Sequence, residues 1–262
     1  MVGINRSIIT LVALFGAAFG TGCNEPTPEA LKQVKEAERD FRSHNVKSAE
    51  QKLNKFLSDY PKSADSAEAY YLRALCGAEQ SNKVRAEADA RACLNLAKDA
   101  TLRANAHATI GTLMFEANRS KEAIEHYEAA LKNLPEKPPV DLIRFRYATC
   151  LQREGRWKEA KDQFAIVIQK YPSSGLATMA KLQFDWPHAA YSIQCGAFRE
   201  RSGASSLESK LKSSGHRAFT ETRSRSGEVL YTVYVGSYPK YEQARDALGA
   251  VQRSSPGAII VP

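Results

Sequence analysis

The feature that most constrains this chain is an internal repeat of 37 residues that runs from residue 29 to residue 185. The apolar spacing within it is helical, in stretches of about fifteen residues separated by short polar breaks. When the chain is aligned with itself at this offset, small residues fall in two columns. These columns hold Ala37, Ala74, Gly111 and Ala148, and Ala49, Ala86, Ala123 and Ala160. Such a period predicts a solenoid of paired helices, in which each pair buries an apolar face against the next.

Two further columns of the repeat hold mostly larger residues, with alanine at 90 and 130, and a third column holds proline in three of its four repeats. Small residues let two antiparallel helices approach, larger ones fill the groove between them, and proline ends the second helix. The columns hold Leu53, Ala90, Tyr127 and Phe164; Phe56, Cys93, Ala130 and Val167; and Pro61, Lys98, Pro135 and Pro172.

These columns resemble the tetratricopeptide repeat, most closely at Ile110-Gly111, Ala123, Tyr127, Ala130 and Pro135. That family repeats every ~34 residues, so we expect the extra residues to lengthen the turns between repeats. The sequence leaves two roles open for the solenoid: a spacer or oligomerisation surface, or a concave face that binds a partner protein. His107 and His126 fall in paired helices, but no carboxylate or thiol lies at ligand spacing, so no metal site is predicted.

A second domain is predicted from residue 188 to residue 262, because the apolar period changes from helical to alternating after Trp186-Pro187. The order of predicted elements is βαββαβ. This order indicates an α+β, ferredoxin-like domain: a four-stranded antiparallel sheet with both helices on one face and the other face open. The predicted elements are a strand at 190–195, a helix at 203–214, strands at 217–223 and 229–235, a helix at 240–252 and a strand at 257–261.

Alternation predicts which side chains line the open face of the sheet. If Val233 and Val235 face the helices, then Leu230, Thr232 and Tyr234 face solvent. In the first strand, Tyr191, Ile193 and Cys195 face inward, which leaves Ser192 and Gln194 outside. An aromatic ring with amides and hydroxyls suits a neutral, hydroxyl-rich polymer, although the same pattern also fits an ordinary solvated sheet.

The segments YSIQCGAF (191–198) and YTVYVGSY (231–238) resemble the two signature segments of the SPOR domain. The resemblance implies binding to bacterial peptidoglycan, especially to septal glycan strands that have lost their stem peptides. It places the binding surface on Gln194, Ala197, Leu230, Thr232 and Tyr234. The sequence departs from the family where Thr232 replaces a common arginine and Leu230 replaces an aromatic residue.

Residues 1–22 are predicted to be a secretory signal peptide, with one basic residue, Arg6, before an uncharged run that ends in small residues. Its most apolar stretch is too short to span a bilayer, and its glycines disfavour a buried first helix. The small residues before Cys23 resemble the bacterial lipoprotein signal, which implies lipidation of Cys23 and a membrane anchor. With Asn24 after the cysteine, the resemblance implies an anchor on the periplasmic side of the outer membrane. Residues 23–28 would then be a short tether.

The other cysteines are Cys76, Cys93, Cys150 and Cys195. Four cysteines in a chain of this length are not a disulfide framework. Cys76 and Cys93 could meet across a helical hairpin, but we favour small apolar core residues.

The net charge of +8 admits three partners: nucleic acid, an anionic membrane surface or an acidic extracellular polymer. The predicted signal peptide argues against nucleic acid, including binding of RNA on the open sheet. No catalytic motif, metal site or cofactor site is predicted, so we expect no enzyme. The sequence predicts an envelope lipoprotein that binds glycan through the sheet and a protein partner through the repeats. The alternative is an adaptor for outer-membrane assembly in which the second domain serves only for localisation.

Overall fold

The computed structural model describes residues 25–225 and 228–262. Within this part, nine helices form an α-solenoid of four hairpins and a final helix, and a four-stranded sheet with two helices follows. The hairpins are α1 (Pro28–Arg42) with α2 (Val46–Asp59), α3 (Ser66–Glu79) with α4 (Lys83–Leu96), α5 (Ala100–Glu116) with α6 (Ser120–Leu131), and α7 (Val140–Arg153) with α8 (Trp157–Lys170); α9 (Gly175–Phe184) is the final helix.

Each hairpin turns at one residue in the left-handed region, and these residues repeat every 37 positions. The residue after it donates its N–H to a carbonyl five positions back, as Asn45 does to Asp40 at 2.8 Å. This Schellman motif satisfies carbonyls that the end of the first helix leaves without partners. The four left-handed residues are His44, Ser81, Asn118 and Gly155.

The two columns of small residues lie where the paired helices touch. All seven alanines of these columns are at most 1 % exposed, and the glycine is buried. A Cβ atom on Gly111 would lie 2.9 Å from two ring atoms of Tyr127, so the approach of α5 to α6 requires glycine there. The predicted helical-repeat solenoid is confirmed.

Three of the cysteines lie inside the solenoid as free thiols. Cys76 and Cys93 belong to different apolar clusters, so the contact across the hairpin is not made. Desolvation raises the pKa of both thiols to about 11 and that of Cys150 to about 12. These cysteines therefore act as small core residues.

The second domain has the βαββαβ order that alternation predicted. Its elements are β1 (Tyr191–Phe198), α10 (Arg201–Ser213), β2 (Ala218–Arg225), β3 (Glu228–Tyr238), α11 (Tyr241–Ser254) and β4 (Ile259–Val261). The strands are antiparallel in the order β2-β3-β1-β4. Both helices pack on one face, over a core that includes Ile193, Val233 and Val235. β1 and β3 are longer than predicted, because bulges in their pairing carry the ladder past Gly196 and Gly236.

The second domain packs against the last hairpin of the solenoid. The indole N–H of Trp157, at the start of α8, donates to the carbonyl of Pro239 at 2.9 Å. The Trp157 ring lies 4.9 Å from that of Tyr191, and the Lys240 ammonium lies 3.3 Å from a Glu154 oxygen. We call this contact the domain joint.

Replacing Gly111 by Ala should destabilise the solenoid by about 1–3 kcal/mol, because the new methyl group overlaps the Tyr127 ring in a filled core. The matched control is Gly175→Ala, since nothing lies within 4 Å of a Cβ at that position. The control should be neutral or stabilising by up to about 1 kcal/mol. Urea unfolding followed by circular dichroism measures both, and equal stability of the two variants would contradict the close packing at Gly111.

Candidate functional site

One face of the sheet carries no helix among the described residues, and we call it the outer face. The strand register places Tyr234 between Gln194 of β1 and Phe219 of β2, and Thr232 between Ala197 and Glu221. Arg223 lies beside Leu230, and Ile259 lies beside Gln194. The register thus brings the six predicted binding residues to one face: Ser192, Gln194, Ala197, Leu230, Thr232 and Tyr234.

Alternation predicted that five of these residues face solvent, all except Ala197, and this expectation is wrong for three of the five. Ser192 and Tyr234 are 3 % exposed and Thr232 is 4 % exposed, whereas Ala197 is exposed and Gln194 and Leu230 are half-buried. Ser192 donates its hydroxyl hydrogen to the carbonyl of Gly236 at 3.0 Å. Thr232 is a short side chain in a central strand, and Tyr234 is covered by neighbouring rings.

The cover over Tyr234 comes from the linker between the two domains. The Trp186 ring packs edge-on against Tyr234 with 6.0 Å between centroids, and its N–H donates to the carbonyl of Ala190 at 2.9 Å. The His188 Nε2 atom lies 2.7 Å from a Glu221 oxygen. The sequence marked Trp186 only as a domain boundary, so this contribution to the outer face was missed.

Arg223 completes this group of side chains. Its guanidinium carbon lies 4.5 Å from the centre of the Trp186 ring and 5.8 Å from that of Tyr234, within the range of cation–π attraction. Its Nη2 atom lies 3.1 Å from a Glu221 oxygen. The sequence analysis assigned no facing residues in this strand, so the contact between Arg223 and the tryptophan of the linker was not predicted.

The outer face therefore combines aromatic rings, a guanidinium, an amide at Gln194 and an apolar side chain at Ile259, which is 57 % exposed. Rings can pack on sugar faces, while amide and guanidinium groups donate hydrogen bonds to hydroxyl or carboxylate oxygens. These groups can bind a ligand by stacking and by hydrogen bonding.

A second concave feature lies in the solenoid, where the first helices α3, α5 and α7 contact one another. A cavity of about 560 Å³ opens between them and the loop from 134 to 139. Its lining is mostly apolar, with Glu116, Lys137 and Arg146 as its charged members. The apolar lining includes Tyr71, Leu75, Ala108, Leu113, Pro135, Leu142 and Ile143. We call this cavity the inner groove.

The two histidines of the third hairpin contact each other through their Nδ1 atoms at 3.0 Å. Burial, and the proximity of His107 and Arg91, lower the pKa of His126 to about 4, although Glu87 and Glu122 oppose the shift. Burial also lowers the pKa of His107. No group of three or more His, Cys, Asp or Glu side chains in the described residues could hold a metal ion.

The predicted signal peptide and Cys23 lie outside the described residues. Of the helices that the structure describes, none has the length and apolar character needed to cross a membrane.

Comparison with protein families identifies both parts of the chain. Residues 187–262 match the SPOR domain, and residues 143–174 match the tetratricopeptide repeat. The chain therefore combines TPR-like repeats with a C-terminal SPOR domain, and both are binding domains. No curated protein matches the chain.

Among solved structures, the solenoid is similar to YrrB, described as a TPR protein with an unusual peptide-binding site. The TM-score is 0.51 at 20% identity, over 60% of this chain and 77% of that chain. For MamA AMB-1 the TM-score is 0.49 at 16% identity, over 60% of this chain and 81% of that chain. For PilF of Pseudomonas aeruginosa the TM-score is 0.47 at 18% identity, over 60% of this chain and 66% of that chain. At these identities the likeness concerns the fold alone.

Low pH should lower the stability of the third hairpin, because His126 becomes protonated. A lowered pKa in the folded chain means that the unfolded chain binds the proton more tightly, so this histidine contributes stability above pH ~6.5 that is lost as the pH falls toward 4. His126→Gln should flatten the fall in stability between pH 6.5 and 4. Urea unfolding at several pH values measures it, with the exposed His44→Asn as control. An unchanged pH dependence in His126→Gln would contradict the assignment.

Proposed function

We propose that the chain is a non-catalytic protein of the bacterial cell envelope that binds peptidoglycan glycan strands through the outer face of its SPOR domain. The observation that carries this proposal is the match over residues 187–262, on a sheet whose outer face combines rings, an amide and a guanidinium. The binding residues that we propose are the exposed or half-buried Gln194, Ala197 and Leu230. The buried side chains of this face pack below these residues and hold them in position; they are Ser192, Thr232 and Tyr234.

The charge distribution supports an acidic polymer as the ligand. Residues 189–262 hold ten basic and six acidic residues, so the positive charge is denser there than on the longer solenoid. A positive surface raises the local concentration of a negatively charged polymer and accelerates its association. The bacterial wall is such a polymer.

We also propose that residues 1–22 direct export and that Cys23 carries the lipid that anchors the chain to the outer membrane. The N-terminal sequence supports this, with its uncharged run ending in small residues directly before the cysteine. The anchor would hold the SPOR domain within reach of the wall, and glycan strands without stem peptides would concentrate it at the division septum.

The binding proposal predicts that the chain sediments with purified sacculi, and more so after an amidase has removed the stem peptides. A variant that ends at residue 186 should remain in the supernatant, while a variant altered only in the inner groove should sediment normally. The fraction bound is measured by gel densitometry. Equal sedimentation with and without residues 187–262 would contradict the proposal.

For the solenoid, we propose that the inner groove binds a segment of a partner protein. Its support is the apolar lining between α3, α5 and α7, since exposed apolar concavities of this size mark interaction sites.

A photo-crosslinking amino acid at Leu142, in the groove, should give one discrete protein adduct in cells. The same probe at Val84, which is 85 % exposed on α4 and outside the groove, should not. The adduct is detected by immunoblotting and mass spectrometry. The adduct at 142 should disappear when Leu75, on the opposite wall, is changed to Glu. Its persistence in that variant, or equal adducts at both positions, would contradict binding in the groove.

A further inference from the structure

The last helix of the solenoid, α9, presents an apolar face that no other described element covers. Six large apolar side chains are exposed among the described residues, and three of them lie on this helix of ten residues. They are Met179 at 51 %, Leu182 at 70 % and Phe184 at 38 % exposure. The end repeats of a solenoid ordinarily carry a polar outer face, because nothing stacks on them. The apolar face of α9 therefore indicates an interaction surface.

The repeat shows what this face lacks. α9 occupies the place of a first helix, because it follows α8 and contacts α7 as α7 contacts α5. In each of the four hairpins, a second helix packs against the first. Leu182 lies 37 positions after Phe145, whose ring packs against that of Phe164 in α8 with 5.6 Å between centroids. After α9 the chain continues into β1, so no described second helix packs on Leu182.

The exposed residues of α9 form a stripe that fits a reversed copy of itself. They lie at i, i+3, i+4 and i+7 on one side of the helix, and they are Gly175, Thr178, Met179 and Leu182. A second α9 can be laid antiparallel about a twofold axis between Thr178 and Met179. Gly175 of each copy then lies opposite Leu182 of the other. Small residues opposite large ones allow two helices to interlock.

The space above Gly175 is open. Nothing lies within 4 Å of a Cβ atom placed on this residue, so a leucine side chain from a second copy has room there. The antiparallel order also places the negative end of each helix dipole beside the positive end of the other.

We propose that two copies of this chain associate through α9, as an antiparallel pair of helices with Leu182 of each copy over Gly175 of the other. Such a contact closes on itself and does not propagate into a filament. Ten residues of helix are about 15 Å long, whereas a stable dimer ordinarily buries about 800 Å² on each partner. The association is therefore weak and reversible, with a dissociation constant on the order of tens of micromolar. The proposed function gives each copy one wall-binding domain, so a dimer holds the wall at two points.

Sedimentation velocity of the purified chain measures this association at concentrations from about 1 to about 200 μM. The native chain should shift from monomer to dimer over this range. Gly175→Leu sets leucine against leucine and Leu182→Ala leaves the space empty, so each should weaken the dimer about tenfold. The double variant exchanges the small and large positions. Its dissociation constant should return to within about threefold of the native value.

The matched control is Val84→Ala, which shortens a side chain that is 85 % exposed on α4. It should dimerise as the native chain does, and circular dichroism and thermal unfolding verify the fold of each variant. A native chain that stays monomeric over the whole range would overturn the inference and leave α9 to a different partner.

Two further results would also overturn it. If neither single variant weakens the native dimer, the contact lies elsewhere. If the double variant stays as weak as the single ones, the antiparallel register is wrong. None of these outcomes depends on binding to the wall, so the proposed function is tested separately.

Discussion

The contact between Trp157 and Pro239 is the interaction on which the arrangement of this molecule depends. Trp157 begins the last helix of the fourth hairpin, and Pro239 lies between the third strand and the last helix of the SPOR domain. Around this hydrogen bond, Tyr191 and Ala244 form a buried cluster with Trp157, and Trp186 packs against its edge. The joint therefore fixes where the linker leaves the solenoid, and so places Trp186 over Tyr234. An indole N–H and a carbonyl inside an apolar cluster are costly to leave unpaired, which favours one geometry of the joint.

Most of the fold could be predicted from the sequence, because the signals that specify it are local and repeated. A small residue every 37 positions is required wherever two helices touch, so Ala37, Ala74, Gly111 and Ala148 reveal the hairpins without knowledge of their neighbours. The left-handed turn residues were not predicted, because His44, Ser81 and Asn118 are not glycines, although they recur with the same 37-residue period as the small residues. The full lengths of β1 and β3 were not predicted either, since a bulge shifts the alternation from which the ends of a strand are inferred.

The binding face could be predicted only in part. Alternation determines the side of a sheet on which a residue lies, and it placed Gln194, Thr232 and Tyr234 correctly on one face. It carries no information on what covers that face. Trp186 and His188 reach it from the linker, and their contacts with Tyr234 and Glu221 join segments more than thirty residues apart in the chain. Arg223 also packs on these rings, from a strand in which the sequence analysis assigned no facing residues.

The most direct test of glycan binding at the outer face uses the two tryptophans of the chain, one in each environment. Trp157 is buried in the domain joint and Trp186 lies on the outer face, so their indole N–H groups give two assignable signals in an NMR spectrum of the ¹⁵N-tryptophan-labelled protein. On addition of stripped glycan oligosaccharide, we expect the Trp186 signal to shift in proportion to the bound fraction and the Trp157 signal to remain. A shift of Trp157 alone, or no shift of Trp186 at saturating ligand, would contradict a binding site on the outer face.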